Sequence, residues 1–163
     1  MFIRTATAAD LPPIVDIYNY EVVHTTASFD MQPKTVEERQ EWFNQHNQHN
    51  HPLIVADEVG EVVGFACWSP YREREAYAAT VELSIYVSHL HRRRGIATRL
   101  MEEILAMARQ DPRTHTVISV ITHGNAASIA LHERFGFAYC GTLWDAGRKF
   151  GQWLGIDNYQ LMV

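Results

Sequence analysis

Leu83-Ser84-Ile85-Tyr86-Val87 is a β-branched and aromatic run, the composition of a strand. After Ser88–Arg94, Gly95-Ile96-Ala97-Thr98 opens a long helical pattern with Ile96, Leu100, Ile104 and Leu105 on one face. Asp111-Pro112 stops it. A strand, a short turn and an amphipathic helix in succession must lay the helix's apolar stripe on the sheet that holds the strand. Arg92-Arg93-Arg94 sets positive charge beside the first turn of that helix. Unpaired N–H groups and partial positive charge at a helix N-terminus favour phosphate, and Gly95 and Ala97 are small enough for close backbone approach. The competing reading is a plain βα turn with solvated arginines.

The rest of the chain supplies the other layers. Phe2–Ala6 reads as a first strand. Thr7-Ala8-Ala9-Asp10 is a capping box, with Leu11, Ile14, Val15, Tyr18 and Val22 at helical spacing up to about His24. Thr35-Val36-Glu37-Glu38 opens a second helix through Trp42 and Phe43. Leu53–Ala56 and Val62–Trp68 flank Asp57–Glu61 as a hairpin, and Thr80–Val87 is a third strand in this block. Thr116–Ile121 is a strand, Asn125–Phe135 a helix ended by Gly136, and Phe137–Leu143 and Asn158–Val163 are the last strands. The order β-α-α-β-β-β-α-β-α-β-β predicts an α/β (α+β) domain, a mixed sheet with helices on both faces, spanning residues 1–163 as one unit.

Charge narrows the function classes. The net charge of −5 argues against nucleic acid, whose binding rests on neutralising phosphates. A basic cluster in an acidic chain suits a small polyanionic ligand instead. No apolar run approaches a membrane span and Met1–Thr5 has no leader pattern, so a soluble, cytoplasmic protein is expected. Cys67 and Cys140 sit in apolar, strand-like contexts and read as buried thiols, not a disulfide. His46, His49 and His51 lie in a polar stretch and read as solvated surface, with a metal site as the competing reading; no metal is expected. A Rossmann-type dinucleotide site is excluded, since G-x-G-x-x-G is absent and the basic loop follows a middle strand.

Arg92-Arg93-Arg94-Gly95-Ile96-Ala97 resembles the R/Q-x-x-G-x-G/A signature of GNAT acetyltransferases. Asn125-Ala126-Ala127-Ser128-Ile129-Ala130-Leu131-His132 through Phe137 is similar to the family's second cofactor segment. Pro70–Tyr77, Thr80-Val81-Glu82, Gly147–Trp153, Ile17-Tyr18-Asn19 and Phe29 resemble the phosphinothricin and methionine sulfone/sulfoximine acetyltransferase group, so the likeness covers nearly the whole chain. It implies a GNAT fold with a central, mixed, mostly antiparallel twisted sheet, and acetyl-coenzyme A as co-substrate. Tyr86, Val87 and Ser88 would lie along its acetyl and pantetheine portions; Arg92, Arg93, Arg94, Gly95, Ile96, Ala97 and Thr98 would cradle the pyrophosphate; Asn125 and Ser128 would meet the arm. Asn125 also suits an ordinary N-cap. Many relatives carry tyrosine at the position of His132. The likeness also implies a homodimer.

Acetyl transfer to an amine needs the amine unprotonated, against a free α-amine pKa of about 7.7–8.0. Glu82 is expected to be the general base, directly or through one water; the alternative is a structural pairing with Arg72 or Arg74. A backbone N–H of Tyr86 or Val87 would stabilise the oxyanion. His132 either protonates the departing thiolate or is a satisfied core histidine. Arg72 and Arg74 are candidate carboxylate forks, Tyr77 a wall or hydroxyl, and Lys149 with Trp153 a closure, across a dimer interface in one reading. The expected activity is N-acetylation of a small amino-acid-like substrate by direct attack. A protein N-terminal acetyltransferase and a non-catalytic acetyl-coenzyme A sensor are the rivals.

Overall fold

The computed structural model describes residues 1–163. The elements run β1 (Phe2–Thr5), α1 (Leu11–His24), α2 (Val36–Asn44), β2 (Leu53–Glu58), β3 (Glu61–Pro70), β4 (Thr80–Val87), α3 (Ile96–Gln110), β5 (Thr116–Thr122), α4 (Ala126–Arg134), β6 (Ala138–Lys149) and β7 (Gln152–Met162). All seven strands form one sheet in the order β1-β2-β3-β4-β5-β7-β6. Every neighbouring pair is antiparallel except β4 and β5, which run parallel. The expected mixed, mostly antiparallel sheet is therefore what the chain adopts.

Local chemistry sets the helix starts. The Asp10 carboxylate accepts from the Thr7 backbone N–H at 2.7 Å, and α1 begins at the next residue. Thr35 and Glu38 cap α2 reciprocally: the Thr35 hydroxyl accepts from the Glu38 N–H at 3.1 Å and the Glu38 carboxylate from the Thr35 N–H at 2.7 Å. Val59 and Gly60, at φ 55° and 87°, make the tight β2–β3 turn.

The two faces of the sheet bury separate cores. On one face the α3 stripe (Ile96, Leu100, Met101, Ile104, Leu105, Ala108) packs on Ala66, Trp68, Val81, Leu83, Val117 and Ile121. On the other, Ile14 and Ile17 of α1, with Trp42 and Phe43 of α2, cover Leu53, Val55, Phe65 and Cys67. The β4–α3 unit thus fixes the basic turn before α3 on a rigid support.

Three expectations are corrected. The last two strands are longer than the pattern suggested and form one hairpin, closed at Phe150 and Gly151 with φ 51° and 73°. Bulges between Tyr139 and Thr142 and between Leu143 and Gly147 break the in–out alternation that would reveal β6. Cys140 is exposed on that hairpin, whereas Cys67 is buried as expected and its thiol is pushed up to about 12 by burial. His46 is not solvated surface: it is buried, with Nδ1 against the Trp42 carbonyl at 2.6 Å and Nε2 against the Ser69 hydroxyl at 3.2 Å.

Candidate active site

β4 and β5 pair at Thr80↔Thr116, Val81↔Val117 and Glu82↔Ile118, and the pairing ends there. Both strands continue, β4 to Val87 and β5 to Thr122. Beyond Glu82 they diverge, so the β5-facing backbone edge of β4 has no strand beside it. The opening is a cleft of about 1150 Å³ lined by β4 from Glu82 to Val87, by Ser119–Thr122, by the starts of α3 and α4, and by residues 25–30 of the α1–α2 connection. A strand edge with unused N–H and C=O groups inside a cleft is a template for an extended, amide-bearing ligand.

The basic end of the cleft is simpler than three adjacent arginines suggested. Arg92 is ion-paired with Glu21 on α1 and sits 5.7 Å from the Tyr20 ring. Arg94 reaches away to Glu58 at 2.8 Å and does not line the cleft. Arg93, at φ 61°, has no ion pair and lines the cleft beside Gly95, Ile96, Ala97 and Thr98. Gly95 holds φ 75° as the residue before α3, a conformation that favours glycine. One free guanidinium, a left-handed turn and a helix start form a donor set that fits a pyrophosphate. Asn125 caps α4, its side-chain oxygen accepting from the Ser128 N–H at 3.2 Å, and both residues line the cleft. The cap and the ligand-facing position coexist. Ser88 does not line the cleft; its N–H donates to the Val63 carbonyl at 2.9 Å.

Glu82 lies at the base of the opening. It is half-buried with no ion pair, and burial raises its carboxyl pKa above the usual range. The structural pairing with Arg72 or Arg74 is absent: Arg72 lies instead over the Tyr71 and Tyr77 rings at 5.1 and 5.9 Å. Tyr86, further along the same face, meets Tyr18 edge-on at 5.5 Å, and burial raises its phenol.

His132 is a satisfied core histidine. It is 1% exposed; Nδ1 meets the Ser128 carbonyl at 2.7 Å and Nε2 the Ser119 hydroxyl at 2.7 Å. The carbonyl can only accept, so Nδ1 carries the proton and Nε2 accepts from Ser119. Burial lowers the ring's pKa, which keeps it neutral. Neither nitrogen is left to protonate a thiolate.

The expected substrate residues are also relocated. Arg72, Arg74 and Tyr77 lie outside the cleft lining. Lys149 is 2% exposed, and its ammonium donates to the Ser28 carbonyl at 2.6 Å. Thr122 donates to the Thr26 carbonyl at 2.6 Å. These two bonds strap residues 25–30 across the open end of the sheet. Tyr18 hydrogen-bonds Asp30 and lies 2.9 Å from the Ser28 hydroxyl, which anchors the strap from α1. Sequence reasoning missed Asp30, Ser119 and His123 as cleft residues. Ser119 had only its odd-numbered place on β5, facing α4, to mark it.

Comparison with known proteins agrees with this geometry. The family model described as "Acetyltransferase (GNAT) family" matches residues 14–137. An L-methionine sulfoximine/L-methionine sulfone acetyltransferase of Pseudomonas paraeruginosa is 40% identical over 98% of this chain and 92% of its own length. A crystal structure of a ribosomal-protein-alanine N-acetyltransferase from Brucella melitensis is 40% identical, covers 100% of both chains and superposes with a TM-score of 0.96. A GNAT superfamily phosphinothricin acetyltransferase from Sinorhizobium meliloti, solved in complex with AcCoA, is 34% identical, covers 99% of this chain and 88% of its own, and gives a TM-score of 0.95.

Proposed function

The chain belongs to the GNAT family of acetyltransferases, and from that premise we propose that it moves the acetyl group of acetyl-coenzyme A to the amine of a small, amino-acid-like acceptor. The observation that carries this reading is the separation of β4 from β5 at Glu82, which puts a raised-pKa carboxylate at the base of an open cleft. The thioester, when bound, supplies the activated acyl carbon. Arg93 and the first turn of α3 hold the pyrophosphate, and the free edge of β4 orients the amide-bearing arm. Glu82 accepts the proton of the acceptor's ammonium, directly or through one water, as the nitrogen attacks. A β4 backbone N–H at Tyr86 or Val87 stabilises the developing oxyanion. The departing thiolate takes its proton from water, since His132 has no free nitrogen. Direct attack needs no acylated residue, and buried Cys67 is unsuited to become one.

The amino-acid-like acceptor draws support from the named activities of the Pseudomonas and Sinorhizobium relatives. The likeness to the Brucella structure favours a second reading, acetylation of a protein N-terminus. A thiol-release assay with phosphinothricin, methionine sulfoximine, methionine sulfone, ordinary amino acids and short peptides separates the two. Turnover on the free amino acids supports the first reading, and preference for peptides overturns it. We place the reaction in the cytoplasm and read the exposed Leu143, Trp144, Phe150 and Trp153 of the β6–β7 hairpin as the packing surface of a homodimer. A monomeric mass by analytical ultracentrifugation would overturn the dimer.

A further inference from the structure

An amino-acid acceptor carries an anionic oxygen as well as its amine, and the cleft must answer both. Of its carboxylates, Glu21 is paired with Arg92 and Asp30 is held by Tyr18, which leaves Glu82 for the ammonium. The cationic partner is less obvious. The basic side chains lining the cleft are His91, Arg92, Arg93, His123 and His132. His91 and Arg93 lie in the phosphate loop, and Arg92 is paired with Glu21. His132 has both nitrogens engaged. Lys149 is buried beneath the strap, and Arg72 and Arg74 lie outside the cleft. Within one subunit, His123 alone is left.

Its setting is built for the task. His123 follows the last residue of β5, its N–H donates to the Gly155 carbonyl at 2.9 Å, and it shares the cleft lining with Thr26, Ala146 and Ile156. Its Nδ1–H donates to the Asp157 carboxylate, 3.0 and 3.2 Å from the two oxygens. Asp157, on β7, is 3% exposed and also accepts from the Thr142 hydroxyl of β6 at 2.6 Å. Burial alone would raise the Asp157 carboxyl, yet the hydrogen bonds from Thr142 and His123 outweigh it and hold the group below the usual range. Trp144 packs edge-on against the imidazole at 4.6 Å and fixes its other side. The His123 side chain is still 45% exposed, and with Nδ1 held by the buried carboxylate, Nε2 is the nitrogen left free to meet a ligand.

We propose that His123, oriented by Asp157 and Trp144, binds the anionic oxygen of the acceptor and is a specificity-determining residue of the transferase. The inference rests on the small-acceptor reading above and deepens it. Asp157 is a positioning residue that acts through the imidazole. The strapped wall formed by residues 25–30, Ala146 and Ile156 becomes the subsite for the acceptor's side chain. Spacing could not show this pair, because Asp157 lies 34 residues from His123 and its neighbours read as ordinary strand.

The test compares wild type with His123→Gln and His123→Ala in steady-state kinetics on the acceptor that the wild type turns over best, with a simple alkylamine in parallel. The expected result is an acceptor KM raised about tenfold to a hundredfold, the range of one hydrogen bond to a charged group. KM for acetyl-coenzyme A should stay within about twofold, and the alkylamine KM should match wild type. In histidine-detected NMR, the His123 ring signals should shift on adding acceptor and not on adding coenzyme A. Asp157→Asn should reproduce the KM effect, with Tm reporting separately on folding. Unchanged acceptor KM in an active His123 variant overturns the inference alone, and a rise confined to the coenzyme A KM overturns it in favour of a cofactor contact. A wild type inactive on every amino acid overturns the small-acceptor reading and this inference with it.

Discussion

Glu82 and Ile118 face each other as the last paired positions of β4 and β5, and the sheet opens immediately beyond them. The carboxylate proposed as general base therefore sits at a fork that backbone pairing defines. Three parallel pairs hold the strands to this point. Past it, α3 and α4 support the two separating strands on one face and the 25–30 strap crosses on the other. The same fork exposes the free edge of β4, so one topological feature underlies both the proposed cofactor edge and the proposed base.

Replacing Glu82 with Gln should lower kcat by roughly 10²–10⁴-fold and leave acetyl-coenzyme A binding intact by calorimetry. In the wild type, burial raises the carboxyl pKa, so the acid limb of kcat/KM should lie above the ordinary glutamate value of about 4.3. Activity falls as pH drops through that limb, because the protonated carboxyl accepts nothing. Stability has the opposite sign. A carboxyl with a raised folded pKa favours the fold while protonated, and that contribution is lost as pH rises. Glu82→Gln should therefore raise Tm at neutral pH while it removes turnover.

The three arginines should separate by function. Arg93→Ala should raise the acetyl-coenzyme A KM about tenfold, as loss of one charged phosphate contact. Arg94→Ala, which releases only Glu58, should leave kinetics within about twofold. Arg92→Ala leaves Glu21, 6% exposed, without its partner, at a cost of roughly 1–3 kcal/mol in denaturant unfolding. Equal kinetic losses in all three variants would contradict this division.

Local signals carried most of the fold. Capping boxes at Thr7 and Thr35, the Val59-Gly60 turn and the α3 stripe each act within a few residues, and each formed where its pattern lies. The placement of Glu82 and Arg93 at the cleft was legible for the same reason, since both belong to the β4–α3 unit. Side-chain destinations were not legible. Arg92 and Arg94 differ because their partners, Glu21 and Glu58, lie on α1 and β2. Lys149 meets Ser28 across 121 positions, and His132 on α4 is hydrogen-bonded by Ser119 of β5. The β6–β7 hairpin was hidden by bulges that cancel the period of two.

His132 tests the distinction between a catalytic and a structural histidine. His132→Leu leaves the Ser119 hydroxyl and the Ser128 carbonyl without their partner and should cost about 1–3 kcal/mol of stability. Where the variant is folded, kcat should fall less than about tenfold and the alkaline limb of the pH profile should stay in place. A hundredfold loss together with a displaced alkaline limb would restore the histidine as a proton donor.

Gly147 offers a way to move the strap without touching its hydrogen bonds. A Cβ built at this position would overlap the Phe29 ring. Phe29 belongs to the strap between Thr26 and Asp30, on the acceptor side of the cleft, and Gly147 lies in β6 just past the bulge after Leu143. Gly147→Ala must therefore swing the ring aside, because β6 is held to β7 through the Gly147↔Leu154 pair. Its φ is not in the left-handed region, so the added methyl brings no backbone strain of that kind. The expected result is an acceptor KM raised about tenfold, with Tm and the acetyl-coenzyme A KM little changed, as steric loss in a pocket wall predicts. Phe29→Ala in the same background should recover part of the loss by removing the clash, while Phe29→Ala alone should weaken the acceptor. If the double variant is as poor as the sum of the singles, the ring and the glycine act independently and the contact does not shape the pocket.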